Sequence, residues 1–453
     1  MSELVSTHIY ANRRARLMAH MRALGGGVAI IANAAVVMRN RDVEYPYRHD
    51  SYFYYLSGFS EPNAVIVIVL VAGEQNESIL FCLEQDPEHA IWHGFRHGPA
   101  GARAHFGFDT AYSATVLDEQ MPGLLANAAA LYHAQGSNAR LDAGLQSCLH
   151  KLRQQARNGV RLPAVTHDVH AILDEMRLIK DESEIALMRK AASISAAAHA
   201  RAMRFTRPGQ TEYQLEAELL HEFHRQGAAA PAYPAIVASG ANACVLHHNP
   251  GATVIKAGEL VLIDAGCEYQ GYASDISRTY PVSGKFSAVQ KTLYEIVLAA
   301  QLAAIAAVRP GARFMDPHQA AIRVLVQGML DCGLLDSEQC GSVDDVISHG
   351  TYRQFFMCRT SHWLGMDVHD VGAYQEPADA GENPWRMLCP GMCLTIEPGI
   401  YILPAPGVPE QYWNIGIRIE DDVLVTDHAC EVLSHAVPKT VVEIEALMAN
   451  RKV

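Results

Sequence analysis

Several short apolar strands in this chain stop at a carboxylate, and a carboxylate at the apolar end of a strand is costly to bury unless a cation or hydrogen bonds compensate it. The run Leu260-Val261-Leu262-Ile263 ends at Asp264, and a second acid, Asp275, follows after Gln270-Gly271. A hairpin turning at that dipeptide would bring the two acids side by side. Further along, Leu394-Thr395-Ile396 runs into Glu397 and Gly416-Ile417-Arg418-Ile419 into Glu420. Taken alone, Asp264 reads equally well as a residue capping its turn.

A histidine accompanies the four acids. Ser361-His362-Trp363-Leu364-Gly365 and the following Met366-Asp367-Val368-His369-Asp370 carry two imidazoles among apolar residues. Either one by itself is ordinarily a satisfied core histidine. Four carboxylates and a histidine at strand ends, however, form a hard, oxygen-rich set suited to two divalent ions such as Mn²⁺, Co²⁺ or Zn²⁺. The serine-hydrolase elbow, the HExxH zinc helix, the phosphate loop and the dinucleotide GxGxxG are all absent from the sequence.

At 453 residues the chain is long for one domain and is read as two. The first half alternates helices and strands: a helix over Ala11–Leu24, strands over Val28–Ala32, Ala64–Ala72 and Ser78–Leu83, and helices over Asp118–Ala128 and Ser147–Arg157. That pattern predicts a smaller α/β domain over 1–175. Asp181, Glu182 and Glu184 then open an Ala-rich helix to about Arg204, their charges matched to the helix dipole. Long helices over 182–204, 211–226, 287–308 and 315–333 interleave with strands over Leu260–Ala265, Thr279–Val282, Met392–Glu397 and Gly416–Val425. This second pattern predicts an α+β domain over 176–453, the boundary falling between about 160 and 180.

The formal charge of −13 without any Lys/Arg cluster argues against nucleic acid and anionic membranes as partners. The N-terminal residues lack the uninterrupted apolar core of a secretory signal, and the longest apolar runs are about half the roughly 20 residues of a spanning helix. A cytoplasmic protein is expected. The ten cysteines then have no oxidising compartment, and the Cys389/Cys393 pair, split by Pro390 and Gly391, reads as structural.

The segments Glu44-Tyr45-Pro46-Tyr47-Arg48, Phe53-Tyr54-Tyr55-Leu56-Ser57-Gly58-Phe59, Val261 to Cys267, Ser361 to Gly365, Thr395-Ile396-Glu397-Pro398-Gly399 and Gly416 to Asp421 together resemble the pita-bread metallopeptidases, within them the proline-specific Xaa-Pro aminopeptidases. The resemblance runs through essentially the whole chain. It implies a C-terminal pita-bread catalytic domain behind a creatinase-like N-terminal domain serving substrate access and oligomerisation. It also implies a pair of divalent ions, with Mn²⁺ the expected one and Zn²⁺ or Co²⁺ as alternatives. Asp264 would chelate one ion, Asp275 and Glu420 would bridge both, and His362 with Glu397 would complete the other, with a bridging water or hydroxide as nucleophile. Glu397 is the implied proton shuttle. His247, His369 and Tyr401 are the implied substrate contacts, and Arg418 is either a catalytic group or an ion-pair partner of a ligand carboxylate.

Trp92 matches an aromatic that in this family can reach a neighbouring subunit's site, in a dimer or tetramer; core packing is its other explanation. One position departs from the pattern. Cys358 stands where the family usually carries a histidine close to the leaving proline. The substrate class implied is peptides with proline in second position. The alternatives are a dipeptidase confined to Xaa-Pro, and a metal-binding protein with weak or no activity because of Cys358.

Overall fold

The computed structural model describes residues 7–71, 76–378 and 383–450. The chain divides into two compact units, Met1–Asp174 and Glu175–Val453, and the division falls inside the helix Val169–Leu178.

In the first unit, helix α1 (Thr7–Ala23) precedes a six-stranded sheet built from β1 (Gly27–Ala32), β2 (Val65–Leu70), β3 (Glu77–Cys82), β4 (Thr110–Ser113), β5 (Ala130–Tyr132) and β6 (Val165–His167). The spatial order is β4-β3-β2-β1-β5-β6, with β1 antiparallel to β2 and parallel to β5. Helices α2 (Leu117–Leu125) and α3 (Ala139–Gln154) bury Met121, Leu125, Leu141, Leu145 and Leu152 against Val28, Ile30, Val67 and Phe81 of the sheet. Because β1 and β2 are buried at nearly every position, they read as unbroken apolar runs rather than alternating ones. The expected end of the second strand at Ala72 lies outside the described residues.

Two expectations need correction here. The helix expected from Ser147 begins at Ala139, because the Asn138 side chain accepts the Leu141 N–H at 3.0 Å and so caps a turn that the apolar spacing alone does not announce. The stretch Arg157–Lys180, for which no element is expected, carries β6 and the helix Val169–Leu178.

The second unit opens on α4 (Glu182–Phe205). Asp181 accepts from the backbone N–H of Ser183 and Glu184 while the Glu184 carboxylate accepts from the Asp181 N–H, a reciprocal cap on the first turn. Helix α5 (Glu212–Arg225) packs along α4, and α6 (Ala288–Ala307) along α7 (Asp316–Asp331). Their apolar faces enclose strands β7 (Ile236–Ser239), β8 (Leu260–Asp264) and β11 (Ser277–Pro281), hydrogen-bonded in the order β7-β8-β11.

Between β8 and β11 the chain makes the hairpin β9 (Cys267–Tyr269) and β10 (Tyr272–Ala273). Gln270 (φ 50°) and Gly271 (φ 82°) are both left-handed, the pairing that matches strand twist in a two-residue turn. Register through β8 and β11 sets Asp264 opposite Ser277, so Asp275 arrives two residues away.

The last strands are β12 (Cys393–Ile396), β13 (Gly399–Ile402), β14 (Ile415–Arg418), β15 (Asp421–Val425) and β16 (Cys430–Val432). The single strand expected over Gly416–Val425 is thus two, β14 pairing with β13 and β15 with β12. The interruption is physical: Pro398 has no N–H to give a ladder, and two glutamates face each other across the gap. Among the described residues no helix is long and apolar enough to cross a membrane.

Gly266 follows β8 where the chain passes the Ser274 carbonyl, and a Cβ there would sit 1.6 Å from that oxygen. Since both partners are backbone, the clash cannot be relieved by a rotamer change. Gly266→Ala is expected to lower the urea midpoint by the equivalent of about 1–3 kcal/mol or more, by the usual cost of overpacking, measured by equilibrium unfolding.

Candidate metal centre

The gap between the paired strands positions two of the predicted acids. Ile396 pairs with Asp421 and Gly399 with Arg418, so the register carried across the gap sets Glu397 opposite Glu420. Like charges directly opposite on antiparallel strands repel. Glu420 is held by its neighbour β11: its backbone N–H donates to the Ser277 carbonyl at 3.0 Å, and its carboxylate accepts from the Ser277 hydroxyl at 2.8 Å.

His362 comes from a segment that runs beside β12. Thr395 N–H donates to the His362 carbonyl and Glu397 N–H to the Thr360 carbonyl, so one short ladder delivers both side chains. The His362 Nδ1 lies 2.9 Å from the Trp363 carbonyl, which fixes Nδ1 as the protonated nitrogen and turns Nε2 to the acids. Nε2 is 3.4 Å from Asp275 Oδ2 and 3.7 Å from Glu397 Oε1. Donor atoms of Asp275, His362 and Glu420 all lie within 4.8 Å of one another.

Asp264 stands on the other side of Asp275. The Arg418 guanidinium donates to its Oδ2 at 2.6 Å, to the Ser277 hydroxyl at 2.8 Å and to the Tyr401 hydroxyl at 2.8 Å. The Tyr233 hydroxyl lies between Asp264 Oδ1, at 2.5 Å, and Asp275 Oδ1. Tyr233 is absent from the sequence prediction. No spacing or motif marks it, because a tyrosine before a proline and an apolar strand is ordinary, and only the tertiary fold turns its hydroxyl to two acids.

A cavity of about 410 Å³ is walled by all five predicted ligands, Asp264, Asp275, His362, Glu397 and Glu420. His247, His369, Cys358 and Arg418 also line it, as does Tyr233. The His369 ring stands 4.1 Å from that of His362. Tyr401 is not in the wall: it is buried, and its hydroxyl reaches the site through Arg418. Trp92 belongs to the first unit, on the short helix Pro87–His93, and is 79% exposed, which removes core packing as its explanation. Cys389 is exposed and Cys393 buried, both as free thiols.

The electrostatics state what this donor set requires. Burial pushes the Glu397 carboxyl up to about 7, with His362 and Arg418 opposing and Asp275 and Asp264 adding to the rise. Burial and the neighbouring acids push Glu420 well above its ordinary range, and burial raises Asp264 although Arg418 opposes it. Burial alone would raise Asp275 too, but its contact with His362 more than offsets that and holds it low. His362 responds in kind: burial would lower it, yet Asp275 and Glu397 lift it to about 9. Without added positive charge the cluster therefore keeps protons on some of its members. Divalent cations supply that charge, and the convergent carboxylates with one imidazole nitrogen fit such ions. The lone pairs left on each Asp264 oxygen allow it to ligate while still paired with Arg418.

Sequence comparison agrees with this chemistry. The family model described as metallopeptidase family M24 matches residues 186–427, and the aminopeptidase P N-terminal domain model matches residues 10–132. The chain belongs to metallopeptidase family M24. It is 44% identical to the Xaa-Pro aminopeptidase of Escherichia coli strain K12 over 100% of both chains. The solved structure of Pseudomonas aeruginosa aminopeptidase PepP superimposes with a TM-score of 0.94 at 46% identity, covering 99% of each chain. Zinc-substituted E. coli aminopeptidase P in complex with product matches with a TM-score of 0.94 at 43% identity over the same share. As an M24 member the protein combines an aminopeptidase P N-terminal domain with a C-terminal pita-bread metallopeptidase domain that uses divalent metal ions.

Metal binding has to displace the protons that the cation-free cluster holds. Affinity of the metal-stripped protein for Mn²⁺ is expected to rise with pH, by up to about tenfold per pH unit for each proton released, more steeply below about pH 7 and less steeply from there to about pH 9. Calorimetric titrations in buffers of different ionisation enthalpy measure the protons released, and Glu397→Gln is expected to reduce their number.

Proposed function

We propose that the protein is a metal-dependent Xaa-Pro aminopeptidase, which hydrolyses the peptide bond between an N-terminal residue and a following proline. The observation that carries this reading is the meeting of Asp264, Asp275, His362, Glu397 and Glu420 in one cavity that also presents His247 and His369. These five residues are the ones that would hold the ions, two of them, Mn²⁺ being the expected species and Zn²⁺ or Co²⁺ the alternatives. When bound, such a pair lowers the pKa of water, polarises the scissile carbonyl and stabilises the oxyanion.

The chain's own groups account for the remaining steps. Glu397 is the carboxylate that would take a proton and return it to the departing proline nitrogen. The imidazoles of His247 and His369 contact the substrate and stabilise the tetrahedral centre by hydrogen bonding. Burial and the adjacent His362 keep His369 below its usual range, so at neutral pH it is uncharged and donates from one nitrogen only. Arg418 orients Asp264 and does so through a bidentate-capable guanidinium that lysine could not replace. Trp92 is assigned to a neighbouring subunit's site in a homo-oligomer, dimer or tetramer, with 1–175 serving substrate access and assembly and 176–453 carrying the chemistry. A cytoplasmic location and peptide substrates with proline in second position complete the proposal; nucleic acids and membranes are not partners.

Cys358 bears on rate. Burial and Glu397 push its thiol up to about 11, so it is neutral and a weak donor. Restoring an imidazole by Cys358→His is expected to raise kcat/KM on an Xaa-Pro-Yaa tripeptide by roughly tenfold to a thousandfold, the range for one donor or acid–base group. The assay uses metal-stripped protein with and without Mn²⁺, on the tripeptide and on Xaa-Pro. Mn²⁺-dependent release of the first residue from the tripeptide supports the aminopeptidase. Cleavage of the dipeptide alone would make it a dipeptidase, and no cleavage by either variant with metal bound would make it a binding protein.

A further inference from the structure

His247 sits in a stretch without regular structure, 245–253, between the end of the 3₁₀ turn Gly240–Cys244 and the bridge of Thr211 to Val254. Such a segment is free to move unless something holds it, and an imidazole that must meet a substrate has to be held. One buried side chain does most of the holding. Glu212, the first residue of α5, is fully buried, and its carboxylate accepts five hydrogen bonds. Oε1 takes the Ser239 N–H at 2.9 Å, the Ser239 hydroxyl at 3.1 Å and the Asn242 amide at 2.9 Å. Oε2 faces His248 Nε2 at 2.8 Å and takes the Gly251 N–H at 3.4 Å.

The donors come from Ser239 at the end of β7, from Asn242 in the 3₁₀ turn, from His248 beside His247 and from Gly251 near the far end of the loop. One charge therefore ties the strand and 3₁₀ turn that lead into the loop to its middle and far end. The free backbone N–H groups of the first turn of α5 add to the far end, Glu212 donating to Thr253 and Tyr213 to Gly251, each at 3.3 Å. Burial would raise the Glu212 carboxyl, but Asn242, His248 and Ser239 more than offset it, so the group is ionised at neutral pH.

We propose that Glu212 is a positioning residue that orients His247 toward the substrate by anchoring the 239–251 segment, without touching the metal centre. This rests on the aminopeptidase reading for the task of His247, while the anchoring stands on the contacts alone.

The test uses the full-length protein and Glu212→Gln, which keeps the volume but replaces one acceptor oxygen with an NH2 group that donates and cannot accept. Hydrogen exchange in peptides covering 245–252 is expected to speed up by about tenfold or more while β8 is unchanged, and Mn²⁺ affinity of the stripped protein to stay within about twofold. On Xaa-Pro-Yaa, kcat/KM is expected to fall roughly tenfold to a hundredfold, as for other groups that orient a functional side chain. Adding Glu212→Gln to His247→Ala should cost no more than about a further twofold, because both changes remove the same contact.

Unchanged loop exchange, or losses that multiply in the double variant, would overturn the proposal. Should Glu212→Gln fail to fold, Asn242→Ala and His248→Ala each remove one donor to the Glu212 carboxylate, and exchange in 245–252 must accelerate in both or the anchoring is wrong. If the wild type cleaves no Xaa-Pro peptide, the aminopeptidase reading falls and the exchange comparison still decides the anchoring.

Discussion

Mutual repulsion among four carboxylates in one cavity, Asp275 and Glu420 buried and Asp264 and Glu397 half-buried, is the constraint around which the second unit is organised. The three successive acids Glu420, Asp421 and Asp422 show how a strand manages it, since alternate residues point to opposite faces. Glu420 and Asp422 face the cluster, where Asp422 accepts the Asp275 backbone N–H at 3.1 Å. Asp421 faces away, into a buried set of partners: Arg278 at 2.7 Å, Lys439 at 2.7 Å, Ser434 at 2.6 Å and Gln301 at 2.8 Å. Burial would raise Asp421, yet Arg278 and Lys439 bring it down to about 2. The segment thus carries one satisfied acid that fastens it in place, beside two whose carboxyls burial and the neighbouring acids push up. Removing one cation from the fastened acid would leave its buried charge with only the other to compensate it, which is why such clusters tolerate little change.

The substrate side follows a second rule. Both imidazoles ascribed to it sit on irregular segments, and each segment is tied by a buried carboxylate. For His369 that carboxylate is the adjacent Asp370, bonded to Arg177 at 2.7 Å and Lys180 at 2.9 Å; for His247 it is Glu212. A loop can approach a reacting centre more freely than a strand can, but it loses order in doing so. A charged hydrogen bond to a rigid element restores that order locally, and does so without filling the cavity.

Much of this was legible in the sequence. Apolar runs ending at Asp264, Glu397 and Glu420 are a local pattern, and the Gln270-Gly271 turn that brings Asp275 beside Asp264 is written in two adjacent residues. The helices over 182–204, 211–226, 287–308 and 315–333 follow from their apolar spacing, and the observed ends differ by a residue or two, within fraying. The start of α3 was missed because a cap, not an apolar residue, sets it. The split of the expected strand Gly416–Val425 was missed because its cause, Pro398 and Glu397, lies on the partner strand.

The sequence by itself determined which residues would carry charge at strand ends, and therefore that the chain must gather counter-charge around them; hydrophobic period and turn chemistry are local and act within a few residues. What only the tertiary structure decided is who meets whom. Tyr233 between Asp264 and Asp275, Arg418 across to Asp264 and Tyr401, and Glu212 beneath the His247 loop are contacts between residues from 17 to 154 positions apart. Such pairings depend on how helices and sheets pack into one core, where a single register of strands and one set of side-chain rotamers has to satisfy many buried polar groups at once. No local pattern contains that information, because the partner that satisfies a group is chosen by the whole fold.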